Sequence, residues 1–259
     1  MFDALTPILW VLITFPIVLV MERWIQLHLQ GTAFLLTKHR KASLAIYAII
    51  MFPGVVLHEF SHWFTANMLG VQTGRLSLWP EIMKDGNIRL GYVEYYKTKD
   101  LGPFRESLIG VAPLVFGITA VISIGIFVFG GNDLINVVYA DEPDRVSAVI
   151  NHIFAVPDVW LWLYLLFTIS NAMMPSPSDR KAWPFFLAAV TLAIVILYFM
   201  GFQRVLWEGL VGPVATVFTY IGIALGITII VDLIFMMLIS SIEWLLGRVR
   251  GVYIDYKKI

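Results

Sequence analysis

Five consecutive residues carry the clearest chemical signal in the chain: His58-Glu59-Phe60-Ser61-His62, the pattern H-E-x-x-H. Residues four apart on a helix lie one turn apart on the same face, so both imidazoles can reach one ion. Glu59 beside them is placed to take a proton from a water on that ion. The bland alternative is a pair of interfacial histidines with a glutamate reaching toward the headgroups. Ionisable groups within a membrane span are costly, which weakens that alternative here. Two histidines leave the site short, because a catalytic zinc ordinarily has three protein ligands and one open position. The chain has no cysteine, so the missing ligand is His, Asp or Glu. His28, His39 and His152 lie outside the apolar spans, whereas Glu22, Asp179, Asp232 and Glu243 stand at membrane depth or at a helix end. Asp179 closes the stretch N-A-M-M-P-S-P-S-D, which starts at Asn171. There a polar residue enters an apolar helix and two prolines break it. An unwound segment within a membrane must line protein or a water-filled cavity, and it can aim a carboxylate at an ion held by a neighbouring helix.

The elements that must position these groups are set by composition. Of 259 residues, 59% are hydrophobic and 14% charged, with 18 basic residues balancing 18 acidic ones and a mean hydropathy of +0.82. An ordinary soluble domain carries roughly 25% charged residues. The figures exclude a disordered chain and give no basic excess for nucleic acid. They leave an all-α polytopic membrane protein, its partner the lipid bilayer, with six expected transmembrane helices. These run over residues 5–21, 43–69, 107–129, 159–175 and 183–202, with the sixth inside 210–246. Gly212-Pro213 and Gly222 are expected to divide that last stretch into an interfacial piece and a helix. The first span lacks a basic leader and a small-residue cleavage site and reads as a retained anchor. The amphipathic stretch 24–36 reads as interfacial, making 1–42 an N-terminal anchor segment. Residues 71–99 depart from helical hydrophobicity. Leu76, Leu78 and Pro80, a turn at Asp85-Gly86, then Ile88, Leu90 and Tyr92 alternate as a membrane-associated β-hairpin. Twelve of the 18 basic residues fall between spans two and three, after span four and at the C-terminus, which places those segments together on the cytosolic side. The acidic segment 132–158 suits the other side, and Lys38, Arg40 and Lys41 dissent.

His58 to Val71 reads H-E-F-S-H-W-F-T-A-N-M-L-G-V and resembles the H-E-x-x-H-x-x-x-A-x-x-x-G of the site-2 protease family, intramembrane zinc metalloproteases. The family's second element, an N-x-x-P segment ending in Asp-Gly, resembles Asn171 to Asp179, with Asp eight residues beyond Asn. The resemblance implies that His58, His62 and Asp179 hold one zinc ion per chain, that Glu59 is the catalytic base, and that Asn171 holds substrate backbone near the metal. A β-hairpin after the first motif is also a family feature. Pro175 lies four residues after Asn171 where the family has its proline at three, Ser178 replaces a Leu and Arg180 replaces the Gly. Gly110-Val111-Ala112-Pro113 is similar to the family's Gly-Pro element but lacks the following Asn. The likeness covers roughly residues 43–181, a three-helix catalytic core, leaving 182–259 as C-terminal transmembrane helices. It marks a divergent branch.

The expected activity is therefore zinc-dependent cleavage of a transmembrane segment in another membrane protein. Ile88, Leu90 and Tyr92 would offer a strand edge to the unwound substrate. The expected location is a prokaryotic cell membrane with the active-site side facing the cytosol. Two other readings compete. One is an inactive relative that binds membrane proteins as a scaffold or regulator, against which the intact Glu59 argues. The other is a zinc transporter, which would need acids and histidines along several spans. Asp232, between Val231 and Leu233, is either functional or hydrogen-bonded to a neighbouring helix. Arg180 and Lys181 snorkel to phosphates or gate against an acid, and Gly54 permits close helix packing or is neutral.

Overall fold

The computed structural model describes residues 2–79, 81–82, 88–95, 102–131, 143–254 and 256. It is mostly helical: α1 (Phe2–Thr37), α2 (Arg40–Met68), α3 (Pro103–Phe127), α4 (Pro143–Ala155), α5 (Val159–Ala172), α6 (Trp183–Phe199) and α7 (Gln203–Arg250). Between α2 and α3 lie four short strands, β1 (Thr73–Ser77), β2 (Glu81–Ile82), β3 (Ile88–Arg89) and β4 (Tyr92–Tyr95). Among the described residues, four helices are long and apolar enough to cross a bilayer, namely α1 from Leu5 onward, α2, α3 and α7; α5 and α6 are shorter apolar helices. This is a membrane protein, and its four long spans stand where six had been expected.

Two boundaries differ from the sequence reading. The interfacial stretch expected over 24–36 is the second half of one unbroken α1. Ile25, Leu29 and Ala33, spaced one turn apart, are buried, and Ile25 and Leu29 join a cluster that includes Ile239 of α7. The amphipathic pattern was real, but protein covers its apolar face. The division expected at Gly212-Pro213 and Gly222 is also absent, because α7 is continuous through Pro213. Gly222 instead admits Trp10, whose indole N–H donates to the Gly222 carbonyl at 3.3 Å.

The order of contacts fixes helix directions. Trp10 meets Gly222, His28 meets Glu243, and Arg250 meets the Leu35 and Leu36 carbonyls, so α1 and α7 run parallel. Tyr164 donates to the Ile50 carbonyl and His58 reaches Ala172, so α2 and α5 are parallel as well. Phe167 stacks on Phe235 and Asn171 meets Asp232, which makes α5 and α7 antiparallel. The C-terminal end of α7 therefore lies beside the α1–α2 turn, at the end of α2 opposite the hairpin. This corrects the expectation that hairpin and C-terminus share one side.

The hairpin follows α2 through a Schellman turn. Gly70 takes φ +70°, Gly70 N–H donates to the Asn67 carbonyl at 3.0 Å, and Val71 N–H donates to the Ala66 carbonyl at 2.9 Å. Ala66 and Val71 then pack together with Ile109 of α3. Strand β1 pairs antiparallel with β4, with a bulge between Thr73 and Leu76, and β2 pairs with β3. The hairpin expectation holds, but its register is shifted by one residue. Ile82 pairs with Ile88, whereas a two-residue turn at Asp85-Gly86 would pair Ile82 with Arg89. Residues 83–87, where that turn was expected, lie outside the described residues, as do Pro80 and the first part of the acidic segment, 132–142.

Candidate metal centre

Both histidines of the motif project from α2 on one face, and both are held from behind. His58 Nδ1 lies 2.6 Å from the Ala172 carbonyl of α5, and His62 Nδ1 lies 2.8 Å from the Ile109 carbonyl of α3. A carbonyl oxygen only accepts, so each Nδ1 carries the hydrogen and each neutral ring turns its Nε2 lone pair forward. The two Nε2 atoms sit 3.2 Å apart. Asp179 closes the group, with Oδ1 3.3 Å from His62 Nε2 and Oδ2 3.8 Å from His58 Nε2. One donor atom from each of the three residues falls within 4.8 Å of the others. With both rings neutral, three acceptors converge with no hydrogen between them, and either a metal ion or a proton on an Nε2 would bridge them.

The spacing suits zinc. Bonds of 2.0–2.1 Å in a tetrahedron separate ligand atoms by about 3.3 Å, close to the distances above. Imidazole nitrogen and carboxylate oxygen are ordinary zinc donors, and the Nδ1-to-carbonyl bonds are the usual outer support of ligating histidines. Burial pushes the Asp179 carboxyl up, but hydrogen bonds from His62 and Ser176, with the nearby His62 charge, hold it below the usual carboxylate range.

Two glycines make the approach possible. A Cβ on Gly54 would collide with the Thr168 carbonyl of α5, and one on Gly110 would collide with the Asp179 backbone. Gly54 is therefore the close-packing residue, and Gly110 lets the proline-broken loop lie on α3. The loop is tied locally, with Ser176 N–H donating to Asp179 Oδ2 at 2.7 Å.

A cavity of about 440 Å³ opens on this group, walled by Glu22, Gln26, Glu59, Tyr92, Asn171 and Asp179 among others. Glu59 is buried at the wall, and the backbone of Gly91 lies against its side chain. Leu90, Gly91, Tyr92 and Val93 all line the cavity. Side chains alternate along a strand, so four successive lining residues present backbone there as well as side chains. Ile88 stands in β3, its side chain outside what the structure describes.

Asn171 reaches the cavity wall with both amide hydrogens engaged: Nδ2 donates to the Phe167 carbonyl at 2.9 Å and to Asp232 Oδ1 at 2.7 Å. Only its Oδ1 has no protein partner. Asp232 is fully buried against Asn171 and outside the metal-capable group. Glu243 is occupied by His28 and Tyr256, both at 2.6 Å. Of the four acids weighed as third ligand, only Asp179 joins the histidines. Sequence reasoning missed Gln26, for which the signal was its i+4 spacing from Glu22 on α1. It also missed the carbonyls of Ala172 and Ile109.

Comparison with protein-family models, with curated proteins and with solved structures yields no match for the chain.

Proposed function

We propose that this protein is an intramembrane zinc endopeptidase of the site-2 protease type, cutting transmembrane segments of other membrane proteins. The observation that carries the reading is the convergence of His58 and His62 Nε2 with the Asp179 carboxylate beside Glu59 in one cavity. His58, His62 and Asp179 would hold zinc, which when bound polarises a scissile carbonyl and makes a water acidic. Glu59 is the base that takes the proton from the attacking water and returns it to the leaving amine. Asn171 lines the cavity and its enclosed Oδ1 lacks a protein partner, so a turn of this amide toward the cavity would offer an acceptor to a substrate N–H. The start of β4 offers backbone to a substrate that has unwound, because a helix has no free main-chain hydrogen bonds to give.

In the membrane we place α5 as a further crossing, so that α1, α2, α3, α5 and α7 alternate in direction. The exposed apolar surface of α6 and of residues 203–221 faces lipid. The prokaryotic cell membrane and a cytosol-facing centre remain part of the proposal.

Purified protein tests the chemistry directly. Wild type should contain about one zinc per chain and cleave a reconstituted transmembrane substrate. Glu59→Gln should keep the zinc and lose cleavage. Cleavage by Glu59→Gln at the wild-type rate would overturn the mechanism. A protein that binds candidate substrates, holds zinc and cuts none of them would favour the scaffold instead.

A further inference from the structure

We propose that Asp232 of the last helix is a positioning residue for the metal centre, acting through Asn171 and the adjoining Ala172 carbonyl on His58. The inference rests on the metal-centre reading and extends the centre beyond α2 and the loop after α5, which supply its candidate ligands, to the last helix.

Asp232 is 0% exposed, and its Oδ2 has no hydrogen-bond partner. A carboxyl buried in a membrane helix is expensive, and the default reading of such a residue is functional. Packing alone therefore gives no reason for it. Among the described residues its one hydrogen-bond partner is Asn171 Nδ2, at 2.7 Å. That amide's second hydrogen goes to the Phe167 carbonyl of its own helix, so the asparagine is held from two sides. Asn171 belongs to the last turn of α5, where carbonyls lack intrahelical partners. The next residue, Ala172, uses its carbonyl to hold His58 Nδ1 at 2.6 Å. Fixing Asn171 to α7 thus fixes the height and rotation of the turn that orients His58. His62 is held independently, by the Ile109 carbonyl of α3.

Helix association does not depend on the polar pair. Phe167 and Phe235, one turn away on each helix, stack with centroids 4.1 Å apart. Removing the carboxylate should leave α5 and α7 packed while freeing the last turn of α5.

The test is cobalt binding to the full-length protein in detergent, followed by the visible ligand-field spectrum. Asp232→Asn keeps an oxygen that can accept from Asn171 and should bind Co(II) within about twofold of wild type. Asp232→Leu should weaken binding about tenfold, in the range found for outer-shell partners of metal ligands, and shift the spectrum. Asn171→Leu should do the same, and the double substitution should lose no more than either single one. Should Asp232→Leu fail to fold, Asn171→Leu set against Asp232→Asn carries the comparison. Wild-type affinity and spectrum in Asp232→Leu, or losses that multiply in the double variant, would overturn the inference. Absence of Co(II) uptake by wild type would instead remove the metal-centre reading, and this inference with it.

Discussion

At the scale of single residues, the centre depends on atoms that a list of titratable groups does not contain. Gly110 bears no ligand, yet its missing Cβ is where the Asp179 backbone lies. The obstructing atoms are main chain, so the loop itself would have to shift. Gly110→Ala should therefore reduce zinc affinity by about tenfold or more, comparable to losing an outer support. Gly226→Ala, with open space around its Cβ, should leave affinity unchanged and gain a few tenths of a kcal/mol from helix propensity. Equal affinities for the two variants in a chelator competition would show that the loop tolerates the shift. Asp179→Ala should lose the zinc and Asp232→Asn should retain it, as metal analysis of the two proteins can check. The histidine pair was legible in the sequence, because spacing of four translates directly into one helix face. The third ligand was not legible from spacing. It comes from a separate element, and among four acids at membrane depth or a helix end Asp179 was favoured by its proline-broken segment, by its expected side of the membrane and by the resemblance. The carbonyls of Ala172 and Ile109 left no trace, since a backbone oxygen has no residue-type signature.

Among the elements, α2 carries the two histidines that could hold a metal and hands the chain straight to the hairpin through Gly70, which explains why β4 reaches the cavity at all. Residues 90–93 line the wall, while β4 gives one edge to β1. Amides along a strand point alternately to its two sides. A proline scan over 92–95 should therefore alternate. Positions that face β1 should disturb the hairpin, and those facing away should lower cleavage while zinc stays bound. Uniform tolerance in a cleavage assay would count against substrate addition at this edge. The helices carry a second polar lock far from the metal. His28 meets Glu243, Tyr256 donates to the same carboxylate, and Trp24 stacks on His28 at 3.9 Å. Glu243→Leu leaves His28 and Tyr256 without their shared partner and should cost about 1–3 kcal/mol, visible as a lower thermal midpoint with zinc content intact. The sequence showed an amphipathic face over 24–36 but not what would cover it. Burial against protein and burial at a lipid interface demand the same periodicity.

For the whole molecule, direction is the consequential property. Six crossings would set the first and last helices antiparallel and put the C-terminus on the hairpin side. Three contacts in register, at Trp10, His28 and Arg250, make α1 and α7 parallel instead. Alternation through α1, α2, α3, α5 and α7 is complete without α6, which has no buried residue. Charge counting missed this because it treated the C-terminal basic residues as neighbours of the hairpin. Moved to the opposite end, they no longer add to the hairpin side, and the bias that chose a topology disappears. Cysteine labelling can decide between the two arrangements, since the chain has no cysteine of its own. Arg75, in β1, marks the hairpin side; Gly251, just past α7, marks the other. The 29 residues of α2 separate those ends by about 43 Å at 1.5 Å per residue, more than the hydrocarbon thickness of roughly 30 Å. Arg75→Cys and Gly251→Cys should therefore react with an impermeant maleimide from opposite faces of the membrane. Lys41→Cys, on the α1–α2 side, should follow Gly251→Cys. Labelling of Arg75→Cys and Gly251→Cys from the same face would restore six crossings and separate α7 from its parallel pairing with α1.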